Sequence, residues 1–218
     1  MARRGSRPND TAGKHSATAH VRSSVGVRII GGRFRGRRLL YSGDLRTRPM
    51  KDRLRETVFN LLGPSVREKH AVDLFAGTGA LAFEALSRGA ARATLIEQHF
   101  PTADILRKNA VLLGVEGLVD VIAGNVFVWA RRELPPDNLP WVVFCSPPYK
   151  FYRERTEEML ELIGRLLEKT PAASIFVVEA DEGFDFQLLP DAQSWGVRPY
   201  LPAVIGIYRK QAKRQDFM

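Results

Sequence analysis

The chain is poor in the residues that build cross-links and metal cages. Its single cysteine, Cys145, excludes an intrachain disulfide and points to a reducing, cytoplasmic setting. Its four histidines, His15, His20, His70 and His99, are scattered with no cysteine pairs beside them, so no metal site is expected. No apolar run approaches the roughly 20 residues of a membrane span, so no membrane partner is expected either. Acid is scarce where base is abundant. Residues 1–55 hold fifteen Lys or Arg against three Asp and no Glu, leaving eighteen basic and twenty-one acidic residues to the rest of a chain whose net charge is +9. Positive charge confined to the first quarter is the footprint of a protein that docks a polyanion with one region.

What is present supports one folded domain with an appendage. At 218 residues and 44% hydrophobic content the chain can bury a full core, and a monomer is the default. Residues 1–24 are polar, lack apolar periodicity and read as a disordered basic tail. Residues 25–64 read as a basic extension, a hairpin around Gly31-Gly32 followed by a helix over 51–62 that Gly63-Pro64 ends. From 65 to 212 strands and helices alternate, with 213–218 as a tail. Strands are expected at 71–75, 93–97, 119–123, 142–145 and 174–178. Helices are expected at 80–88, from 101 to just before Gly114, at 127–133 and at 153–169. An antiparallel pair, 195–200 and 204–209, closes the unit. Such alternation predicts an α/β fold, a mostly parallel sheet with helices on both faces.

Two turns carry chemistry. Asp73-Leu74-Phe75-Ala76-Gly77-Thr78-Gly79 is the first strand-to-helix turn, where a doubly wound sheet holds its ligand. Gly77 and Gly79 permit a sharp bend and close approach of a ligand. Glu97 ends the next strand, placed to take both hydroxyls of a ribose. The same glycines satisfy the dinucleotide fingerprint through Ala82, which keeps an NAD-type enzyme as a rival. Asp73 favours a cation instead, since an anion at that mouth repels a pyrophosphate. S-adenosylmethionine, with an ammonium, a sulfonium, a ribose and no phosphate, fits it. The second turn is Ser146-Pro147-Pro148-Tyr149, which ends an apolar strand. The Ser146 hydroxyl and the Pro147 carbonyl are acceptors for the two N–H groups of a nucleobase amine, and Tyr149 can stack on the base. Cys145 reads as a buried strand residue, not a nucleophile.

Several segments, taken in order, resemble one family. VRIIGGRFRGRRL, RPMKDRLRETVFNLLG, VDLFAGTGALAFEALSRGA, LIEQ and SPPY occur as in the bacterial small-subunit ribosomal RNA guanine-N2 methyltransferases of the RsmD type, over nearly all of 27–209. The resemblance implies a Rossmann-like class I methyltransferase with a small N-terminal extension. It also implies S-adenosylmethionine as donor and a guanine of 16S ribosomal RNA, free or in an assembling small-subunit particle, as target. Carried over by position, Asp73, Phe75, Ala76, Gly77, Thr78, Gly79, Glu97, Gln98, Asn125 and Val126 line the donor. Ser146, Pro147, Pro148 and Tyr149 form the catalytic loop. Arg33, Arg35, Arg37, Arg38, Arg48, Lys51, Arg53 and Arg55 meet RNA. The chain departs from the family in having Ser146 and Asn125 where aspartates are usual, and Met50-Lys51 where threonines are. DNA cytosine-N4 or adenine-N6 methylation, and a non-catalytic assembly factor retaining the fold, are the alternative expectations.

Overall fold

The computed structural model describes residues 26–41, 43, 50–132 and 138–211; the expected tails at 1–24 and 213–218, and Arg48, lie outside them. Seven strands form one sheet: β1 (His70–Asp73), β2 (Arg92–Glu97), β3 (Val119–Ala123), β4 (Trp141–Cys145), β5 (Ile175–Asp181), β6 (Trp195–Tyr200) and β7 (Ala203–Arg209). Their order is β3-β2-β1-β4-β5-β7-β6. The pairings among β1 to β5 are all parallel, whereas β7 runs antiparallel to β5 and β6 to β7.

Among the described residues six helices cover the sheet: α1 (Asp52–Leu62), α2 (Ala80–Ser87), α3 (Phe100–Leu113), α4 (Val126–Arg131), α5 (Phe151–Glu154) and α6 (Thr156–Lys169). Every residue of β1 and β4 is buried, as expected of strands covered on both faces. Ala71, Val142, Phe144 and Val177 pack with α1, α2 and α3 on one face. Val72, Val143, Phe176 and Val178 pack with α4, α5 and α6 on the other. In α6 the buried positions Met159, Leu162, Ile163 and Leu166 recur at helical spacing, which seats one stripe on the sheet.

Two elements depart from expectation with consequences for the site. The helix expected at 153–169 is two helices, because the backbone leaves helical geometry at Arg155 (φ −139°, ψ 37°). The strand expected to end at 178 runs on to Asp181, since β7 pairs with it as far as Asp181↔Ala203. That extension carries Glu179 to the level of residue 146.

Among its described residues the basic extension has no core of its own. The expected hairpin is a single antiparallel bridge, Arg28↔Arg38, around a 3-10 turn at Gly32–Phe34. A ribbon this small cannot bury a face by itself, so Val27, Ile29 and Leu39 join the core of the sheet domain. Polar groups fasten it there. Fully buried Glu84 on α2 accepts the Ile30 and Gly31 amides at 2.7 and 2.8 Å and Arg88 Nε at 2.7 Å, with Arg55 Nε at 4.0 Å. Arg55, itself wholly buried, donates to the Arg28 carbonyl at 2.6 Å and to Asp52 at 2.9 Å. Farther along, Asn109 on α3 exchanges two hydrogen bonds with the Leu40 backbone.

Candidate active site

The chain moves outward from β1 to β2 and β3, then returns to pair β4 with the other side of β1. A crevice opens at such a reversal, beyond the carboxyl ends of the two strands. Asp73 pairs in register with Phe144, and Leu74 N donates to Phe144 O at 3.0 Å. The glycine turn after β1 and the diproline turn after β4 therefore leave the sheet side by side.

On the β1 side Gly79 has φ +74°, and a Cβ there would lie 2.6 Å from the Phe83 ring and 2.7 Å from Leu106. Only glycine fits the bend. Glu97, at the end of β2, holds the turn: one carboxylate oxygen accepts Gly77 N at 2.9 Å and the other accepts His99 N at 2.7 Å. Each oxygen keeps a lone pair for a hydroxyl. Asp73 is 1% exposed, and its Oδ1 has no hydrogen-bond partner. Burial pushes its carboxyl up to about 7; the Phe75 amide opposes that rise, and the Glu97 charge adds to it. A buried acid with one oxygen left unpartnered gains from a cation delivered by a ligand. Ala76 and Thr78 are buried, Phe75 half-buried and Gln98 exposed. The donor set thus suits a ligand with an ammonium at one end and a diol at the other.

Asn125 calls for a correction. Its Oδ1 accepts the Phe127 and Val128 amides at 2.8 and 3.3 Å and caps α4, with Val126 buried behind it. Expected to line the donor, its side-chain carbonyl is instead turned into the helix N-terminus, where it satisfies two orphan donors.

On the β4 side Pro147 is buried, Pro148 exposed, and Ser146 and Tyr149 half-buried. The Pro148 and Tyr149 carbonyls are taken by the Phe151 and Tyr152 amides, which start α5. Among the described residues no donor reaches the Pro147 carbonyl. Ser146 Oγ and Tyr149 OH both donate to Glu179, the latter at 2.8 Å, and Glu179 is 6% exposed. Glu179 was not among the expected site residues, since it lies one residue past the expected end of the strand at 178. A lone acid closing the apolar run IFVV was the available signal. Tyr152 is buried with its hydroxyl 3.7 Å from Cys145 Sγ. Burial of the Cys145 thiol raises it to about 12, which leaves it inert as a nucleophile. Phe151 packs edge-on to Phe75 at 5.9 Å. Arg155 lies over Phe127 and Phe151 at 4.2 and 5.1 Å. These rings tie the two turns together.

The basic residues divide. Arg33, Arg35, Arg37 and Arg38 are exposed, but the arm that carries them docks against Ser87 and Leu112, at the ends of α2 and α3 away from the crevice. Lys51 and Arg53, also exposed, flank Asp52, whose carboxylate pairs at 3.0 Å with Arg28, the bridge partner of Arg38. α1 finishes where Leu61 O accepts from Arg209, the partner of Ile175 at the start of β5, so its first turn faces the crevice end. Arg55 does not belong with them: it is buried beneath the arm and cannot reach a phosphate.

A mostly parallel sheet in this order, with one antiparallel strand inserted beside β5 and both turns at the reversal, is a Rossmann-like class I methyltransferase fold. The chain belongs to the family described as conserved hypothetical protein 95, the RsmD family, whose pattern matches residues 27–191. It is similar to ribosomal RNA small subunit methyltransferase D of Escherichia coli K12, with 41% identity over 137 residues that cover 63% of this chain and 66% of that protein. The protein of the same name from Haemophilus influenzae is 36% identical over 154 residues, 69% of this chain and 77% of that one. The solved structure of yhhF from Escherichia coli superposes with a TM-score of 0.70 at 33% identity, covering 86% of this chain and 99% of that chain.

Proposed function

We propose that this chain transfers a methyl group from S-adenosylmethionine to the exocyclic N2 amine of a guanine in 16S ribosomal RNA. The observation that carries the reading is the meeting of the glycine and diproline turns at one strand reversal, held by Leu74 N on Phe144 O. When bound, S-adenosylmethionine supplies an electrophilic methyl on its sulfonium. Asp73 takes the ammonium, Glu97 the ribose hydroxyls, and Gly79 lets the backbone approach. The unpartnered Asp73 Oδ1 supports a cationic ligand over the pyrophosphate of a dinucleotide. Across the crevice, Tyr149 stacks on the guanine while the Pro147 carbonyl and Ser146 oxygen each accept one amine N–H. Orienting the amine lone pair at the methyl is most of the catalysis. Arg33, Arg35 and Arg37 hold RNA phosphate at the far end of the arm, and Arg38, Lys51 and Arg53 hold it nearer the target base. A small-subunit particle offers a surface broad enough for both groups, and the names of the relatives support a ribosomal RNA target.

The test is methyl transfer from labelled donor to 16S RNA, naked and in partly assembled particles, with the product base mapped by mass spectrometry. N2-methylguanine at one position supports the reading. Label on cytosine or adenine, or donor binding without transfer, overturns it.

A further inference from the structure

Ser146 stands where the resemblance implies an aspartate, so residue 146 itself brings no carboxylate to the place where positive charge would build on the attacked nitrogen. The fold brings one from the side. Val178 pairs with Cys145, so Glu179 is level with Ser146 on the adjacent strand, where both the Ser146 and Tyr149 hydroxyls donate to it. We propose that Glu179 is the positioning residue of the transfer step, a carboxylate that works through Ser146.

The polarity of the contacts defines what it does. A serine hydroxyl can donate or accept. Once its proton is committed to Glu179, only its lone pairs remain for the target, so Ser146 is an acceptor for an amine N–H. The same carboxylate holds Tyr149 by its hydroxyl and sets the plane of the stacking ring. This assignment rests on the nucleobase-amine reading above. In the reaction the nitrogen lone pair forms the N–CH3 bond while the S–CH3 pair withdraws to sulfur, leaving S-adenosylhomocysteine. The nitrogen, now bearing an extra proton, releases it to Ser146 Oγ, and the electron pair of that N–H bond stays on nitrogen. The Ser146 proton passes to Glu179, which returns it to water after product leaves. No further reactant is needed.

The test uses the full chain, labelled S-adenosylmethionine and small-subunit particles under single-turnover conditions, with S-adenosylhomocysteine affinity and Tm measured beside the rate. Glu179→Gln keeps the shape and removes the charge. Its rate is expected to fall about a hundredfold, the lower range for a lost proton acceptor, with donor affinity within twofold of the wild type. Ser146→Ala, which leaves Glu179 in place, is expected to fall similarly. The double variant is expected to be little worse than either, as for residues acting as a unit. Ser146→Asp in the Glu179→Gln background puts a carboxylate directly at the amine and is expected to regain at least tenfold. In the wild-type background it sets two carboxylates against each other and gains less. A Glu179→Gln rate within threefold of the wild type, additive losses, or equal effects of Ser146→Asp in both backgrounds would overturn the relay. Failure of the wild-type chain to methylate any base amine instead sinks the nucleobase reading and takes the relay with it.

Discussion

Glu84 and Asp73 are both buried carboxylates, eleven residues apart, and they do opposite things. Glu84 is saturated: two backbone amides and one guanidinium donate to it, with a second guanidinium 4.0 Å away. Asp73 keeps an unpartnered oxygen and a carboxyl raised to about 7. A saturated buried charge makes structure, here the attachment of the N-terminal arm to α2. An unsaturated one costs stability, and it is where a cationic ligand would gain most. Burial does not separate the two; hydrogen-bond saturation does.

The sharpest way to break this contrast is Glu84→Ala. It strands buried Arg55 and two amides and is expected to cost about 3–5 kcal/mol. Urea melts check it, and a loss under 1 kcal/mol would show that the network is not what holds the arm. Asp73→Asn is expected to invert the sign, raising stability at pH 8 while weakening S-adenosylhomocysteine binding about a hundredfold, or ~2.7 kcal/mol. Calorimetry with the two variants side by side tests whether the carboxylates differ in kind.

The pH response sharpens the comparison further. The Asp73 carboxyl lies above its ordinary value of 3.8 in the folded chain, so the stability it confers is full below that value and is lost as pH rises through about 7. A bound ammonium favours the ionised form. Donor affinity should therefore tighten about tenfold from pH 6 to pH 8 and stay flat in Asp73→Asn; a flat wild-type profile would separate Asp73 from the ammonium. The smallest effects concern the exposed base. Arg35→Ala with Arg53→Ala should leave stability within about 0.5 kcal/mol yet lower the slope of log affinity for 16S RNA against log salt by about 1.5. Arg55→Ala should do the reverse, losing stability. A steep slope change in Arg55→Ala would return that residue to the RNA-binding set.

Much of this was legible before any coordinates. The alternation of strands and helices, the turn glycines at 77 and 79, and the diproline stop after Cys145 all follow from local chemistry, and β3 begins and ends where its apolar pattern does. What escaped was long-range. Arg55 looks like its basic neighbours because charge is visible in a sequence and burial against Glu84, twenty-nine residues on, is not. Asn125 is a good N-cap residue just before an expected helix, but only the fold shows that its Oδ1 is spent on the Phe127 and Val128 amides. The expected helix 153–169 conceals the break at Arg155, whose guanidinium packs on Phe127 and Phe151 instead of continuing one straight helix.

By itself the sequence determined which bends are possible and which strands must be covered on both faces. Steric freedom at glycine and proline, and the pattern of apolar side chains, are properties of the residues themselves. Only the tertiary structure decided which charges are quenched and which are left to act. That depends on neighbours brought together across the sheet: Glu84 beneath the arm, Asp73 at the strand reversal, and Glu179 beside Ser146. A hydroxyl proton is directed by whatever acceptor the fold sets against it, and that acceptor lies thirty-three positions away along the chain.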